Sequence, residues 1–361
     1  MKQLKFFMFI LLAINIFSCY SINTDCDDCD NDGTDNNDDI IEQGDIIWER
    51  TAGPPISSVE VLTAWKITVA SNGNIWAYQY DNFDGDVLYL STNSGDSWTK
   101  KSNRLFIGIY SLYVSPVNDY LFANTVSGLF RSTDDGASWE NIMHYANVTG
   151  IIIAASGEIY MGYQKVDVRE AVCYYSNDNG NTWIEKSNGL NDSFQPVAIG
   201  KDGTLYANSV NGAYHSTDGG NTWLPSSNYN NVFRNLAICN DGSILGIVEN
   251  VTILKSTDKG VSWTILGKLN TNISINFFAF DAIIIYNNVT NDIFVEIRHG
   301  RDEPYHIVYR STNSGKNWKS ENNGLPLSPY NDDLSITLNP NTGQMFVSTS
   351  RGVYRTKNYP K

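Results

Sequence analysis

One eight-residue pattern, S-x-[D/N]-x-G-x-[S/T/N]-W, returns six times along this chain. It runs Ser91–Trp98, Ser132–Trp139, Ser176–Trp183, Ser216–Trp223, Ser256–Trp263 and Ser311–Trp318. Every copy keeps Gly in the fifth place and Trp in the eighth. Trp occurs only nine times in 361 residues, so six coincidences are excluded. Successive copies start 41, 44, 40, 40 and 55 residues apart. A repeat of about 40–45 residues is the length of one four-stranded propeller blade.

The chemistry of the pattern agrees with its spacing. Each copy follows a short strand, such as the one through Leu129, Phe130 and Arg131 after Gly128. The Asp or Asn is expected to bond its own backbone two residues on and so close a turn. Gly supplies a positive φ at no steric cost. The Trp opens the next strand and can lay its indole on the hairpin. The motif therefore reads as a staple between the third and fourth strands of a blade. It resembles the Asp-box (BNR) repeat of sialidases and related β-propellers, and the resemblance covers nearly all of residues 46–361. In that family the motif is structural and is not the catalytic site.

Six motifs do not make the whole ring. After the last copy, the stretches 334–338, 345–348 and 352–356 supply three strands of a seventh blade, and Thr356 falls in the place of the motif Ser. The chain stops at Lys361 before a fourth strand. The missing strand is expected at the other end, where Ile47, Trp48, Glu49 and Arg50 look like Ser138, Trp139, Glu140 and Asn141 without a motif before them. The expected fold is all-β: a single seven-bladed β-propeller whose N-terminal strand closes the last blade. Such closure pairs both terminal edges and leaves no free sheet edge at the seam.

The first 45 residues read differently. Lys2 and Lys5 precede an apolar stretch, Phe6–Phe17, too short to span a bilayer and suited to a secretory leader. Ile16-Phe17-Ser18-Cys19 resembles a bacterial lipobox, which implies that Cys19 is lipidated and becomes the mature N-terminus. An ordinary cleavage site with an incidental Cys is the alternative. More than one acyl chain gives a stable anchor, and the absence of Asp at position 20 points to the outer membrane. Residues 1–19 are thus expected to be a lipoprotein signal peptide, 20–45 an acidic tether and 46–361 the propeller.

The tether carries ten carboxylates from Asp25 to Asp45 and no basic residue. A segment of that charge repels itself and stays extended. Asp28, Asp30, Asp32, Gly33 and Asp39 also fit a D-x-D-x-D-G calcium loop. A solvated linker is the plainer reading, and no other cofactor is expected. Cys26 and Cys29 form a lone C-x-x-C, suited to a local disulfide rather than zinc. Cys173 and Cys239 sit in apolar strand contexts, where core packing is expected.

The chain is 42% hydrophobic, enough for a full core, and its formal charge is −14. That balance argues against nucleic acid, whose binding needs a basic footprint. No G-x-G-x-x-G, P-loop, H-E-x-x-H or G-x-S-x-G occurs, and only four His are present. His215 occupies the slot before a motif Ser, where Arg131, Lys255 and Arg310 also stand, so it is expected on the blade surface and not at a catalytic centre. The Asp-box resemblance raises sialidase. Those enzymes hold a carboxylate with three Arg and carry Arg-Ile-Pro before the first box, which this chain lacks, and their propellers have six blades. Seven-bladed relatives of that family include xyloglucan hydrolases, which pair two propellers around a cleft, and photosystem II assembly factors, which bind proteins.

A ligand is expected on the face made by second-to-third-strand loops and blade-to-blade crossings. Those loops are long in blade one (Asp81–Asp86), blade three (Gln164–Glu170) and blade six (His299–Pro304), and tight in the others. Aligning the first strands brings Trp65, Tyr110, Gln195 and Arg234 to the channel side. Asp332 and Asp333 precede blade seven, and Arg298, His299, Arg301, Asp302 and Glu303 belong to the blade-six loop. Aromatic faces with carboxylates suit sugars. Two functions stay open: a lipid-anchored binding or scaffold module for a glycan or protein at the cell surface, and a glycoside hydrolase using a carboxylate pair on the channel face.

Overall fold

All six motifs close one and the same turn in the computed structural model, which describes residues 45–54, 65–79, 86–105, 108–144, 148–165, 171–190, 194–209, 212–225, 233–248, 251–269, 281–298, 306–326, 335–349 and 351–360. The motif Ser Oγ accepts the amide of the motif Gly at 2.8–2.9 Å in every copy. The Asp or Asn Oδ1 accepts the amide of the seventh residue, again at 2.8–2.9 Å. This corrects the expected bond: the side chain reaches four residues on, not two, because the Ser hydroxyl already pulls the loop inward. The motif glycines take φ from 79° to 91°. A Cβ on Gly136 would also meet Leu88 Cδ2 of the preceding blade at 2.5 Å, so the turn is closed both by torsion and by packing.

The described strands form seven four-stranded antiparallel sheets. In each of six blades the order follows the chain. The first strands are β2 (Lys66–Val69), β6 (Ile109–Val114), β10 (Val148–Ile153), β14 (Gln195–Ile199), β18 (Asn235–Ile238), β22 (Asp281–Tyr286) and β26 (Ser335–Leu338). Six of the seven neighbouring pairs in this set touch one another around the axis, which makes these strands the inner wall of the ring. Second strands such as Leu121–Thr125 and Leu205–Ser209 are buried at every position. They are covered on both faces by adjacent blades, so their sequences run apolar or small without alternation.

The core is a set of seven seams. Each of seven apolar clusters joins one blade to the next. One of them packs Trp65, Ile67 and Ile75 of blade one on Phe346 and Val353 of blade seven, so the ring is closed.

Blade seven is completed from the N-terminus. Its order is β1 (Trp48–Arg50), β28 (Gly352–Thr356), β27 (Met345–Thr349) and β26. Trp48 pairs with Thr356 and Glu49 with Arg355, the register that sets Glu140 against Arg131 in blade two. The salt bridges repeat as well: Glu49 Oε1 lies 2.9 Å from Arg355 Nε, and Glu140 Oε2 lies 2.6 Å from Arg131. Trp48 takes the place of the motif tryptophans at the fourth strand, as expected.

The slot before the motif Ser proves to be a seam position. Arg131 donates to Asn179 O and Asn181 Oδ1 in the motif turn of the next blade at 2.8 and 2.9 Å. Arg355 does the same to Ser94 O and Asp96 Oδ1 at 2.9 and 2.7 Å. His215 is only 5% exposed. The surface placement expected for it is therefore wrong, because the neighbouring blade covers what an isolated hairpin would expose. Burial pushes its imidazole down, towards the neutral form. Cys173 and Cys239 are buried free thiols, and burial pushes Cys173 up to about 12, so neither is a nucleophile.

Candidate functional site

Two faces of the ring differ in how their polar groups are satisfied. On one face lie the motif turns and the first-to-second loops. These loops bond one another: Asn118 Nδ2 donates to Asn179 Oδ1 at 2.9 Å, and Asn72 Nδ2 to Asp119 Oδ1 at 2.9 Å. Hydrogen bonds from Thr182 hold the Asp178 carboxyl down at about 2, and Asp134 and Asp218 are lowered for the same reason. Asp258 is lowered too, although its desolvation opposes the bonds from Ser262. These carboxylates are spent on their own hairpins.

The opposite face carries the second-to-third turns and the starts of the inner strands. Tight turns there are self-contained. Thr125 Oγ1 donates to Gly128 O at 2.8 Å, and Thr349 Oγ1 to Gly352 O at 3.1 Å. The blade-one-to-two crossing is held by Asp86, fully buried, whose two carboxylate oxygens accept the amides of Gly108 and Ile109 at 2.7 and 3.1 Å. Asp86 is thus a structural staple. Among the long loops, Asp81–Gly85, Val166–Glu170 and His299–Tyr305 lie outside the described residues.

The four inner-strand candidates all stand at this same end. Trp65 is 2% exposed and packs edge-on against Tyr89 with centroids 5.6 Å apart. Its ring is spent in the seam with blade seven and has no face to offer a ligand. Tyr110 is 45% exposed, and its carbonyl accepts Lys66 Nζ at 3.1 Å across the seam from blade one. Gln195 opens β14 and packs over Gly150 of blade three. Arg234 donates its amide to Ile247 O at 2.7 Å, while its buried Nε has no partner. No hydrogen bond or ion pair among the described residues links these four to one another. Arg298 closes strand β23 (Ile293–Arg298). His299, Arg301, Asp302, Glu303, Asp332 and Asp333 lie outside the described residues, as do Cys19 and the acids Asp28, Asp30, Asp32 and Asp39.

Two residues escaped the sequence reading. Lys66 is a cation on the inner wall, and only its place one residue after Trp65 hinted at it. Glu296 is 1% exposed in a second strand. It shares the face of Phe294, which packs on blade seven. Its signal was visible: an acid inside Ile-Phe-Val-Glu-Ile, where sister blades carry Tyr78, Asn124, Gly162, Asn208, Ile247 and Ser348. Among the described residues no group of three His, Cys, Asp or Glu could hold a metal ion.

No curated protein matches the sequence. Among solved structures, the chain is similar to YCF48 bound to D1 peptide (TM-score 0.61, 15% identity, covering 88% of this chain and 98% of that one). It is also similar to the extracellular domain of BT4673 from B. thetaiotaomicron (0.59, 12% identity, 86% and 40%) and to an ancestral GH74 enzyme (0.57, 17% identity, 84% and 45%). At these identities the likeness is one of fold. In sequence, residues 44–194, which hold the closing strand and the first three blades, match the family described as the DUF6242 beta propeller domain.

Proposed function

We propose that this protein is a lipid-anchored binding propeller of the Asp-box kind, held at the outer membrane through Cys19. It takes a protein or glycan on the face opposite the motif turns. The observation that carries the reading is the contrast between faces. On the motif-turn face the Asp and Asn side chains are consumed by their own hairpins and the first-to-second loops are all five or six residues, while the second-to-third connections on the other face range from two to seven residues. Loops that grow on a rigid scaffold are where binding concentrates. YCF48, a neighbour in fold, has been solved with a bound peptide, and another neighbour is an extracellular domain. The first supports a binding role and the second a place outside the cell. The hydrolase reading has less support. The described inner-strand starts offer Lys66, Tyr110, Gln195 and Arg234 and a single acidic residue, Asp281 at the start of β22, while Asp86 is occupied by two backbone amides.

A peptide array, a glycan array and a glycan-hydrolysis screen, probed with the chain from residue 20, test this. The expected result is binding without turnover, abolished when Arg298–Glu303 is replaced by a tight turn like Ser127–Gly128. Turnover of a glycan, or binding untouched by the loop replacement, overturns it.

A further inference from the structure

The polarity of the closing strand fixes which face of the ring looks towards the anchor. Strand β28 runs from Gly352, at a second-to-third turn, to Thr356, at the level of the motif turns. Strand β1 lies antiparallel to it, so it starts at the motif-turn face and ends at the other. Contacts at both ends agree. Asp45 O accepts Asn358 Nδ2 at 2.8 Å, Ile47 N donates to Asn358 Oδ1 at 2.9 Å, and Asp45 is ion-paired with Lys319, next to the blade-six motif Trp. At the far end Arg50 Nε donates to Arg351 O at 2.9 Å in the tight turn of blade seven. The described chain therefore begins, at Asp45, on the motif-turn face, at the rim between blades six and seven.

The departure point is also fixed rather than swivelling. Ile46 is 1% exposed and donates its amide to Glu321 Oε2 at 2.9 Å. Trp48 Nε1 donates to Glu321 O at 2.8 Å. The face itself mixes both signs: Asp96 and Asp135 in its motif turns are ion-paired with Arg355 and Lys101, and Asp202 with Lys259. Residues 20–44, at most about 85 Å when fully extended, bring more carboxylates to the same side. An acidic stalk is held off an anionic lipid surface.

The geometry points to a polar display. The motif-turn face looks towards the bilayer across a charged gap, and the face with the long loops looks away from it. This deepens the proposed function and rests on its anchor. It also narrows the ligand: a soluble macromolecule, or one on a facing surface, not a lipid headgroup of the bilayer that holds the anchor.

Energy transfer to an acceptor lipid reads the polarity directly. Ser127 and Ala137 are exposed positions on opposite faces of blade two. Each is changed to Cys and labelled on a Cys26→Ser, Cys29→Ser background, with the buried Cys173 and Cys239 left in place. The full chain, lipidated and reconstituted in vesicles, should give transfer from residue 137 exceeding that from 127 at least about twofold, because a blade strand separates the two faces by about 17–20 Å. Equal or reversed transfer overturns the polarity. The same pair in residues 20–361 with an N-terminal histidine tag, on vesicles with nickel-chelating lipid, repeats the measurement without Cys19. The expected order there with no vesicle binding of the full chain would sink the anchor and keep the geometry.

Discussion

The seam between blades three and four and the seam between blades six and seven are built alike, yet only the first is made within one run of chain. At the first, Trp223 N donates to Asn188 O at 2.8 Å and Trp223 Nε1 to Lys186 O at 3.0 Å. At the second, Trp48 N donates to Asn323 O at 2.8 Å and Trp48 Nε1 to Glu321 O at 2.8 Å. Gly189 and Gly324 sit beneath these tryptophans at φ 94° and 93°. A Cβ on either would stand 2.1 Å from the Trp carbonyl oxygen. Asn-Gly-Leu follows the outer strand in both places, so the closing seam copies an internal one.

The difference lies in what surrounds the clasp. At the internal seam Lys186 rides over the Tyr175 ring at 4.1 Å and donates to Gly219 O in the next motif turn. Blade seven has no such turn. The positions of Tyr175 and Lys186 are taken by Arg310 and Glu321, and Arg310 is paired at 2.7 Å with Asp292, both side chains being at most 3% exposed. Tyr359 fills the space of the turn, donating to Asp292 Oδ2 at 2.8 Å and lying under Arg310 at 4.7 Å. Burial pushes the Glu321 carboxyl up, opposed by the Ile46 amide and Arg310. Where a covalent hairpin is missing, buried charge and both chain ends take over its fastening.

Removing the closing strand should show the largest effect. A chain starting at Ala52 loses Trp48 and the pairing of β1, and loss of a buried Trp alone costs roughly 3–5 kcal/mol. A chain starting at Asp45 keeps β1 and every described contact of the closing strand, and should melt like the full chain. Equal melting temperatures for these two truncations would contradict the closure. Next comes Asp292→Ala, which removes the nearest counter-charge of the buried Arg310 guanidinium and should cost roughly 3–5 kcal/mol in urea unfolding. Its counterpart, Lys186→Ala, should cost roughly 0.5–1.5 kcal/mol, the worth of one hydrogen bond made by a half-exposed cation. A larger loss at Lys186 than at Asp292 would show that the two seams do not differ as described.

The smallest effect is one of pH. Four motifs carry Asp at the third position, while Asn93 and Asn313 serve in blades one and six. The Asp178 carboxyl is depressed to about 2 from an ordinary 3.8. A depressed pKa contributes stability that is present above the unfolded value and is lost as pH falls through the folded one. Unfolding followed between pH 4 and pH 2 should therefore lose less stability in Asp178→Asn than in the parent, and more in Asn93→Asp. An unchanged acid slope in both would show that these bonds do not favour the ionised form.

The ring was largely legible because its signals are local. Trp and Gly recur at fixed offsets, and Trp48-Glu49 stands out as a motif ending without a motif. The Glu321 latch was not legible, since it joins Ile46 to a residue 275 positions away. His215 was misplaced for a related reason: a hairpin read alone does not show the blade that covers it. Trp65 looked like a ligand platform from its alignment, but that alignment gives the strand end and not the direction of the ring. Loop lengths named the candidate face. Whether the loops meet over the channel depends on crossings and tips that no period governs.

Amide hydrogen exchange of the native chain tests the central claim most directly. A peptide covering Ile46–Thr51 should exchange far more slowly than a free peptide, because its amides donate to Glu321, Asn323, Asn358 and Val353 and its strand pairs with β28. Exchange of Ile46–Thr51 at the rate of a free peptide, with Gly352–Thr356 still protected, would contradict a ring closed by its N-terminal strand.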